Sequence, residues 1–163
     1  MIPNYNYLQN NAFNFTLNRI PETTFRVVEC SIPSLTVPPA QGGAIGSPQY
    51  FPGTSNEFDV FPCRFIVDED LKNYEEIYRW ITQQRYHIGK DFAPKNEYEK
   101  SLVSDGTLIT MTNSSTPNRI FRFFDMFPIS IGAINFDTTI DSPAPVTCEV
   151  EFRYSYFYMV PKV

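Results

Sequence analysis

The side chains that most often bind metals or act as nucleophiles are few in this chain and lie far apart. The chain contains one histidine, His87, and three cysteines, Cys30, Cys63 and Cys148, with no CxxC pair. A zinc site needs three or four convergent ligands, and a nucleophilic serine or cysteine needs a nearby base. No Gly-x-Ser-x-Gly motif is present. The sequence therefore predicts reduced, packed thiols and no catalytic residue, metal ligand or cofactor site.

Two short motifs are similar to ligand-binding loops but lack residues that such loops need. Asp68-Glu69-Asp70 is similar to the start of a calcium loop, yet Asn73 stands where the sharp turn needs glycine. The glycine-rich residues 42–46 are similar to a phosphate-binding loop, but no Lys-Ser/Thr pair follows them. We interpret the first motif as the start of a helix and the second as a flexible loop.

The composition predicts a single β-rich domain over residues 1–163. Hydrophobic residues make up 42% of the chain, which is enough for a real core. Aromatic residues reach 16%, and 14 prolines outnumber 7 glycines, which favours strands and rigid loops over helices. The formal charge of −5 disfavours binding to nucleic-acid phosphates.

Neither end of the chain has the pattern of a membrane or export segment. No apolar run approaches the roughly 20 residues of a membrane helix. The first residues, MIPNYNYLQNN, lack the basic and apolar regions of a signal peptide. We therefore expect no membrane partner, and we expect the protein to stay where it is made.

Several segments have the residue pattern of strands. Apolar and polar residues alternate over residues 13–17, and residues 24–32 are rich in β-formers, so a hairpin-like pair is expected there. Residues 57–67 are apolar on both faces near their end and predict an interior strand. Residues 108–112 and 120–124 predict a further hairpin around a turn.

One helix is predicted, over residues 69–84. Its apolar side chains recur at helical spacing at Leu71, Tyr74, Ile77, Tyr78 and Ile81. The preceding carboxylates suit the positive end of the helix dipole. We expect this stripe to cover one open end or face of the sheet layer.

A proline-rich segment at about residues 31–53 interrupts the strand pattern. Its many prolines and glycines predict an extended loop without regular structure. The segment is too apolar for a solvated linker, and long loops in compact domains are often functional. We predict that it contacts a protein partner through Leu35, Val37, Ile45, Tyr50 and Phe51.

The clearest periodicity lies at the C-terminus. Apolar and polar side chains alternate over residues 146–158, which predicts one strand of about 40 Å at ~3.3 Å per residue. Its polar face includes Glu149 and Glu151. Paired carboxylates can act as acid and base, but a solvated strand face is the better interpretation of this pattern.

Two parts of the chain resemble the tail tube proteins of contractile-tailed bacteriophages. The first is the segment FPISIGAINFD at residues 127–137, with Asp141 and the strand at 146–157 after it. It combines an aromatic-proline entry, a glycine turn, an apolar strand ending in Asp, an acidic turn and an aromatic-rich last strand. The second is the strand at 58–67, followed by a helix that runs past Trp80.

The resemblance implies a mainly β fold: a β-sandwich or barrel-like subunit with one flanking α-helix and long loops. Six subunits would form a ring, and stacked rings would form a hollow tube inside a contractile sheath. The implied partners are further copies of the chain, the tail sheath protein, and baseplate and tail-terminator proteins. Genomic DNA would pass through without specific binding. The expected location is the virion tail, assembled in the host cytoplasm.

The resemblance also implies roles for the two candidate surfaces. Glu149 and Glu151 are candidate lumen-facing residues, because an acidic lining repels DNA. An outward position, or pairing with Arg153 or a cross-strand cation, is the alternative. The apolar residues of the segment at 31–53 are candidate contacts to a neighbouring subunit or ring.

Four other functions, in three classes of protein, remain open on the sequence. A baseplate protein that initiates the tube, or the tube of another contractile injection system, would share the fold. A small ligand-binding β-sandwich of a different class would also be aromatic and poor in charge. An enzyme is the remote third class, since no catalytic constellation supports it.

Overall fold

The computed structural model describes residues 7–20, 27–44, 46–85, 102–139, 142 and 144–160. These residues form eleven strands and one helix. The elements are β1 Phe13–Leu17, β2 Val27–Cys30, β3 Leu35–Thr36, β4 Ala40–Ala44, β5 Ser47–Phe51, β6 Glu57–Phe58, β7 Phe61–Ile66, α1 Lys72–Arg85, β8 Ser104–Met111, β9 Pro117–Ile131, β10 Thr147–Arg153 and β11 Tyr156–Met159.

The long strand β9 joins two layers of sheet. Its first half pairs with β8 and β11, and its second half pairs with β10. Between the halves, Asp125 has a φ of 53°, a left-handed conformation that bends the strand. The strands follow the order β1-β8-β9-β10-β7-β2, with β11 also on β9. One strand therefore serves both layers.

Aromatic side chains from the two layers meet in the core. The ring centroids of Phe15 in β1 and Phe61 in β7 lie 4.8 Å apart, and those of Phe61 and Phe123 in β9 lie 4.9 Å apart. Since β1 ends the strand order and β7 lies next to its other end, the contact between Phe15 and Phe61 shows that the sheet is folded onto itself as a sandwich. The predicted fold class, mainly β with one flanking helix, is confirmed.

The C-terminal segment forms two strands, so the prediction of one long strand is wrong. β10 ends at Arg153 and β11 begins at Tyr156, opposite the bend of β9, where the amide of Ser155 donates to the carbonyl oxygen of Phe124 at 2.9 Å. Along β10 every second side chain is buried, whereas Tyr156 and Tyr158 are exposed. The segment has to break because it follows β9 from one layer into the other.

The first two strands do not form the predicted hairpin. β1 pairs with β8 and β2 pairs with β7, so they lie at opposite edges of the strand order. β7 lies between β10 and β2 and is interior as predicted, but only one of its faces is buried. The predicted β8–β9 hairpin is confirmed, with both strands longer than expected.

The segment after β9 turns where a strand ending in Asp was expected. Residues 132–137 have no regular structure, and a turn follows at residues 138–139. The Asp137 carboxylate accepts hydrogen bonds from the amide and hydroxyl of Thr139 at 2.8 and 2.6 Å. Such local bonds replace the ladder bonds that a strand would need, and they hold the pKa of Asp137 below its usual value.

The helix α1 is confirmed, but its buried face is rotated from the predicted stripe. Ile77 and Trp80 are fully buried, whereas Leu71 and Tyr78 are exposed. The indole of Trp80 donates to the carbonyl oxygen of Leu102 at 2.8 Å and packs against the core. The largest side chain of the helix therefore sets its orientation, and the tyrosine next to Ile77 turns outward.

The start of α1 depends on a buried asparagine, not on the carboxylates before it. Asn73 is 1% exposed, and its side chain accepts hydrogen bonds from the amides of Asp68 and Tyr74. Its amide group donates to the carbonyl oxygen of Ile66 at 2.8 Å. Asn73 thus links the end of β7 to the helix start. Helix geometry begins only at Lys72, because Leu71 before it has a left-handed φ of 58°.

The proline-rich segment contains strands, so the prediction of a loop without regular structure is wrong. β4 and β5 form an antiparallel hairpin from Ala40↔Phe51 to Ala44↔Ser47, and β3 pairs with β6. Pro38, Pro39 and Pro52 flank the hairpin, and Gly46 has the positive φ of 106° that a tight turn needs. Gly42, Gly43 and Pro48 lie within the paired strands, which tolerate them because each strand has an edge without a partner among the described strands.

Candidate assembly surfaces

The first candidate surface lies on the β4–β5 hairpin and the segment leading into it. We call it the hairpin surface and define it by Leu35, Val37, Tyr50 and Phe51, which are 54%, 44%, 66% and 53% exposed. The fifth predicted contact, Ile45, lies outside the described residues. Four exposed large apolar side chains on β3, β5 and the link that follows β3 are the kind of apolar surface that marks a protein interface.

Close backbone contacts give this hairpin a fixed shape. A Cβ atom at Gly53 would lie 1.9 Å from the carbonyl oxygen of Pro38, so only glycine fits at the hairpin base. A Cβ atom at Gly42 would lie 2.9 Å from the ring of Phe51, which therefore lies across β4. Among the described strands, β4 and β5 pair only with each other.

The second candidate surface is the solvent-facing side of β10, which we call the β10 outer face. Glu149 and Glu151 are both exposed there, as the alternation predicted. Glu149 is the register partner of Arg64, which forms an ion pair with Glu29 of β2. Ser130 of β9 donates a hydrogen bond to Glu151 at 3.0 Å. The face is thus a charged strip that crosses strands β9, β10, β7 and β2.

Arg153, the alternative partner of the two glutamates, contacts a different element. Its guanidinium donates to the backbone carbonyl oxygen of Phe58 at 3.1 Å. This contact ties β10 to β6, beside the hairpin segment.

A third surface was not predicted. The ring of Phe124 stacks on Tyr156 at 4.7 Å and on Tyr158 at 5.5 Å between centroids, with interplanar angles of 12° and 18°. Both tyrosines are exposed. The sequence signal was the apolar alternation at residues 154–158, which we interpreted as buried because the break at Ser155 was not foreseen.

The three cysteines are free thiols on the core side of the sheet. Burial raises the pKa of Cys30 to about 11 and raises the pKa of Cys63 and Cys148 as well. No group of three or more His, Cys, Asp or Glu side chains in the described residues could hold a metal ion. His87 lies outside those residues.

The helix of the described chain does not reach the length and apolarity that a bilayer span requires.

Comparisons with known proteins place this geometry among contractile tails. No family model matches the chain. The tail tube terminator protein of Enterobacteria phage T4 is 31% identical over 108 residues, which are 65% of this chain and 58% of that protein. The chain thus matches little more than half the length of this relative.

Solved structures extend the likeness to nearly the whole chain. The sheath/tube terminator of the extracellular contractile injection system PVC has a TM-score of 0.68 and 15% identity, covering 97% of this chain and 100% of that one. A chain of the PVC sheath-tube complex has a TM-score of 0.66 and 15% identity, covering 94% and 91%. The resemblance to contractile tail tube proteins is confirmed.

The structural comparisons do not separate a terminator from a sheath-tube component, whereas the sequence comparison matches a terminator. The two structural likenesses are nearly equal in TM-score, so the fold is common to a terminator and a sheath-tube component. The sequence relative, in contrast, is a terminator. The two predicted surfaces, the hairpin surface and the β10 outer face, lie on different strands of this fold.

Proposed function

We propose that this chain is a structural, non-enzymatic subunit that forms the terminal ring of a contractile tail tube. The observation that carries the proposal is the 31% identity to the T4 tail tube terminator over 108 residues. The shared tube fold supports it. A terminator thus takes the place of the stacking tube subunit that the sequence first suggested.

A terminator and a tube subunit differ in which surfaces must be self-complementary. A tube subunit binds copies of itself on both axial faces of its ring, so its stack grows without limit. A terminator ring binds the last tube ring on one face and must not bind a second copy of itself on the other. The proposed protein therefore closes into rings but does not form tubes on its own.

The hairpin surface provides the contact to a neighbour. A two-stranded hairpin is marginally stable in water without a third strand or a packed face. Here all five residues of β5 are exposed, and the aromatic side chains of Tyr50 and Phe51 lie among them. Docking on the adjacent subunit of the ring buries these aromatic side chains and completes the hairpin.

Open strand edges provide the contacts that close the ring. Among the described strands, β1 and β2 end the strand order at opposite sides. Unpaired edges pair readily with another chain, and two different edges meeting head to tail generate a closed ring. We expect six copies to close in this way.

The β10 outer face is the proposed lining of the channel. Six copies at −5 each give a ring a formal charge of about −30, and a low-dielectric wall concentrates the field inside it. Glu149 and Glu151 would then repel passing DNA rather than hold it. Fast DNA exit requires weak phosphate contacts.

This role places the protein in the virion tail, assembled in the host cytoplasm. Its partners are its own copies, the last ring of the tail tube and the tail sheath protein, with genomic DNA passing through. Proteins at the baseplate end would contact it only if it started the tube instead of ending it.

A stacking tube subunit remains the second candidate function. The observation in its favour is the TM-score of 0.66 with the PVC sheath-tube chain, which nearly equals the value for the terminator. The two candidates differ in one property, which is whether rings of this protein stack on each other.

A capping assay separates the two candidates. The tube protein of the same phage is polymerised with increasing amounts of this chain carrying a gold-labelled C-terminal tag. A terminator shortens the tubes and places label at one end only. Label along the whole tube would favour the tube subunit, and unlabelled tubes of unchanged length would contradict both.

A further inference from the structure

Two of the three cysteines face each other directly across strands β2 and β7. Cys30 and Cys63 are register partners, and the amide of Ser31 donates to the carbonyl oxygen of Pro62 at 3.4 Å. In an antiparallel ladder this bond flanks a pair that shares no hydrogen bond of its own, and the Cα atoms of such a pair lie about 4.5 Å apart. Disulfides span Cα distances of about 4.4 to 6.8 Å. The backbone therefore already has the separation that a disulfide needs.

The side chains of this pair point to the same side of the sheet. Cys63 is 3% exposed, and the half-buried Cys30 packs against the core beside it. The adjacent residues, Glu29 and Arg64, face outward and form an ion pair between the same two strands.

A reagent can reach the pair from the edge of the sheet. β2 is an end strand of the order and Cys30 is only half-buried, so in a subunit that has not yet assembled its thiol lies at an open edge of the sheet. Cys148 has no such partner, because it lies opposite Phe65 and its thiol donates to the carbonyl oxygen of Gly132. Only one pair of the three cysteines is thus placed to react.

We propose that Cys30 and Cys63 form an intramolecular cross-strand disulfide when the reduced protein meets an external disulfide such as oxidised glutathione. The thiolate of Cys30 attacks the external disulfide, forms a mixed disulfide and releases one glutathione thiolate. Cys63 then loses its proton and attacks the sulfur of Cys30, which releases the second glutathione. Two protein thiols are oxidised, and one external disulfide is reduced to two thiols.

The bond would brace the weakest strand of its layer. β2 contains only four residues, pairs on one side only and has a register shift between Val27 and Glu29. A covalent link to β7 prevents this strand from fraying. In a reducing cytoplasm the thiols stay free, and in an oxidising medium the link forms.

The reaction should be slow near neutral pH and faster in alkali. The thiolate is the attacking species, and burial raises the pKa of Cys30 to about 11. Below that pH, the thiolate fraction and the rate rise about tenfold per pH unit.

Mass spectrometry of the full chain tests the proposal. The protein is incubated with excess oxidised glutathione at pH 8.5, alkylated under denaturing conditions and digested. The expected product has lost two hydrogens, contains a peptide that joins Cys30 to Cys63, and carries the alkyl group on Cys148. A link to Cys148, a persistent glutathione adduct on Cys30, or three alkylated cysteines after long incubation would overturn the proposal.

Three variants provide the controls. Cys148→Ala should form the link at the same rate as the parent. Cys63→Ala should stop at the mixed disulfide on Cys30, because the second step has lost its thiol. Cys30→Ser, at a half-buried position, should leave Cys63 reduced; oxidation of Cys63 in that variant would contradict the order of the two steps.

Discussion

The β4–β5 hairpin and strand β10 have the same secondary structure but are stabilised differently. β10 pairs with β7 on one side and with β9 on the other, and Cys148, Val150 and Phe152 bury its inner face. The hairpin pairs only with itself among the described strands, and its aromatic residues are exposed. Both regions contain large apolar side chains, but only one region places them in the core of the subunit.

The difference indicates which parts of the sequence encode the subunit and which encode the assembly. Apolar side chains that lie in the core stabilise the fold of one chain. Apolar side chains held outward on a fixed hairpin gain that free energy only when a neighbour covers them. Mutations in the two regions should therefore change different measured quantities.

Ile77→Asp should have the largest effect on the stability of the subunit. Ile77 is fully buried in α1, and the variant buries an unpaired carboxylate in addition to losing apolar contacts. We expect a loss of at least about 4 kcal/mol in the free energy of unfolding, measured by denaturant titration. The matched control is Tyr78→Asp, one residue further along the helix and 52% exposed, which should cost less than about 1 kcal/mol. Equal losses in both variants would show that the helix face is assigned wrongly.

Two phenylalanine truncations compare the regions directly. Phe152→Ala removes a fully buried ring of β10 and should cost about 3 to 5 kcal/mol of stability. Phe51→Ala removes an exposed ring of the hairpin surface and should change the stability of the monomer by less than about 1 kcal/mol. The same Phe51→Ala variant should weaken ring assembly at least about tenfold, measured by analytical ultracentrifugation. Normal assembly by that variant would show that the hairpin surface is not part of the interface between subunits.

Removal of residues 41–49 extends this test to the whole hairpin. The deleted residues lie within the β4–β5 hairpin, which pairs with no strand of the sandwich among the described strands. We expect the shortened chain to melt as one folded unit within a few degrees of the parent and to stay monomeric. Assembly equal to that of the parent would show that ring closure depends on the strand edges alone.

The smallest effect on stability is expected on the β10 outer face. Glu149→Lys/Glu151→Lys changes two exposed side chains, so folding and assembly should remain nearly unchanged. The ring should then retain DNA in a salt-dependent way, measured by filter binding across an ionic-strength series. Glu57→Lys/Glu69→Lys, on two exposed side chains outside this face, is a control with the same charge change. If the β10 variant binds no more DNA than that control, the β10 outer face does not line the channel.

The sequence predicted the elements whose apolar residues recur at a regular spacing because one face packs against the core. The alternation in β10, the β8–β9 hairpin and the buried Ile77 all follow from local periodicity, and the structure contains them. The partners of β1 and β2 could not be predicted in this way, because β8 and β7 lie far along the chain. Strand pairing at that range is set by the sandwich as a whole.

The errors at the candidate surfaces have local causes. Prolines and glycines in residues 31–53 predicted a loop, yet Gly42, Gly43 and Pro48 lie within a hairpin whose strands have free edges and therefore tolerate them. The tyrosines of β11 were interpreted as part of one long strand, since alternation carries no sign of the bend at Ser155. In β11 the exposed Tyr156 and Tyr158 continue the two-residue period of the buried side chains of β10, so spacing alone did not distinguish them.

The most direct test of the proposed terminator role is electron microscopy of the purified protein over a wide concentration range. The account predicts discrete six-fold rings that increase in number but do not stack as the concentration rises. Mass photometry of the same samples should give a single assembly of six chains. Long tubes would contradict a terminator, and a monomer at every concentration would contradict ring formation.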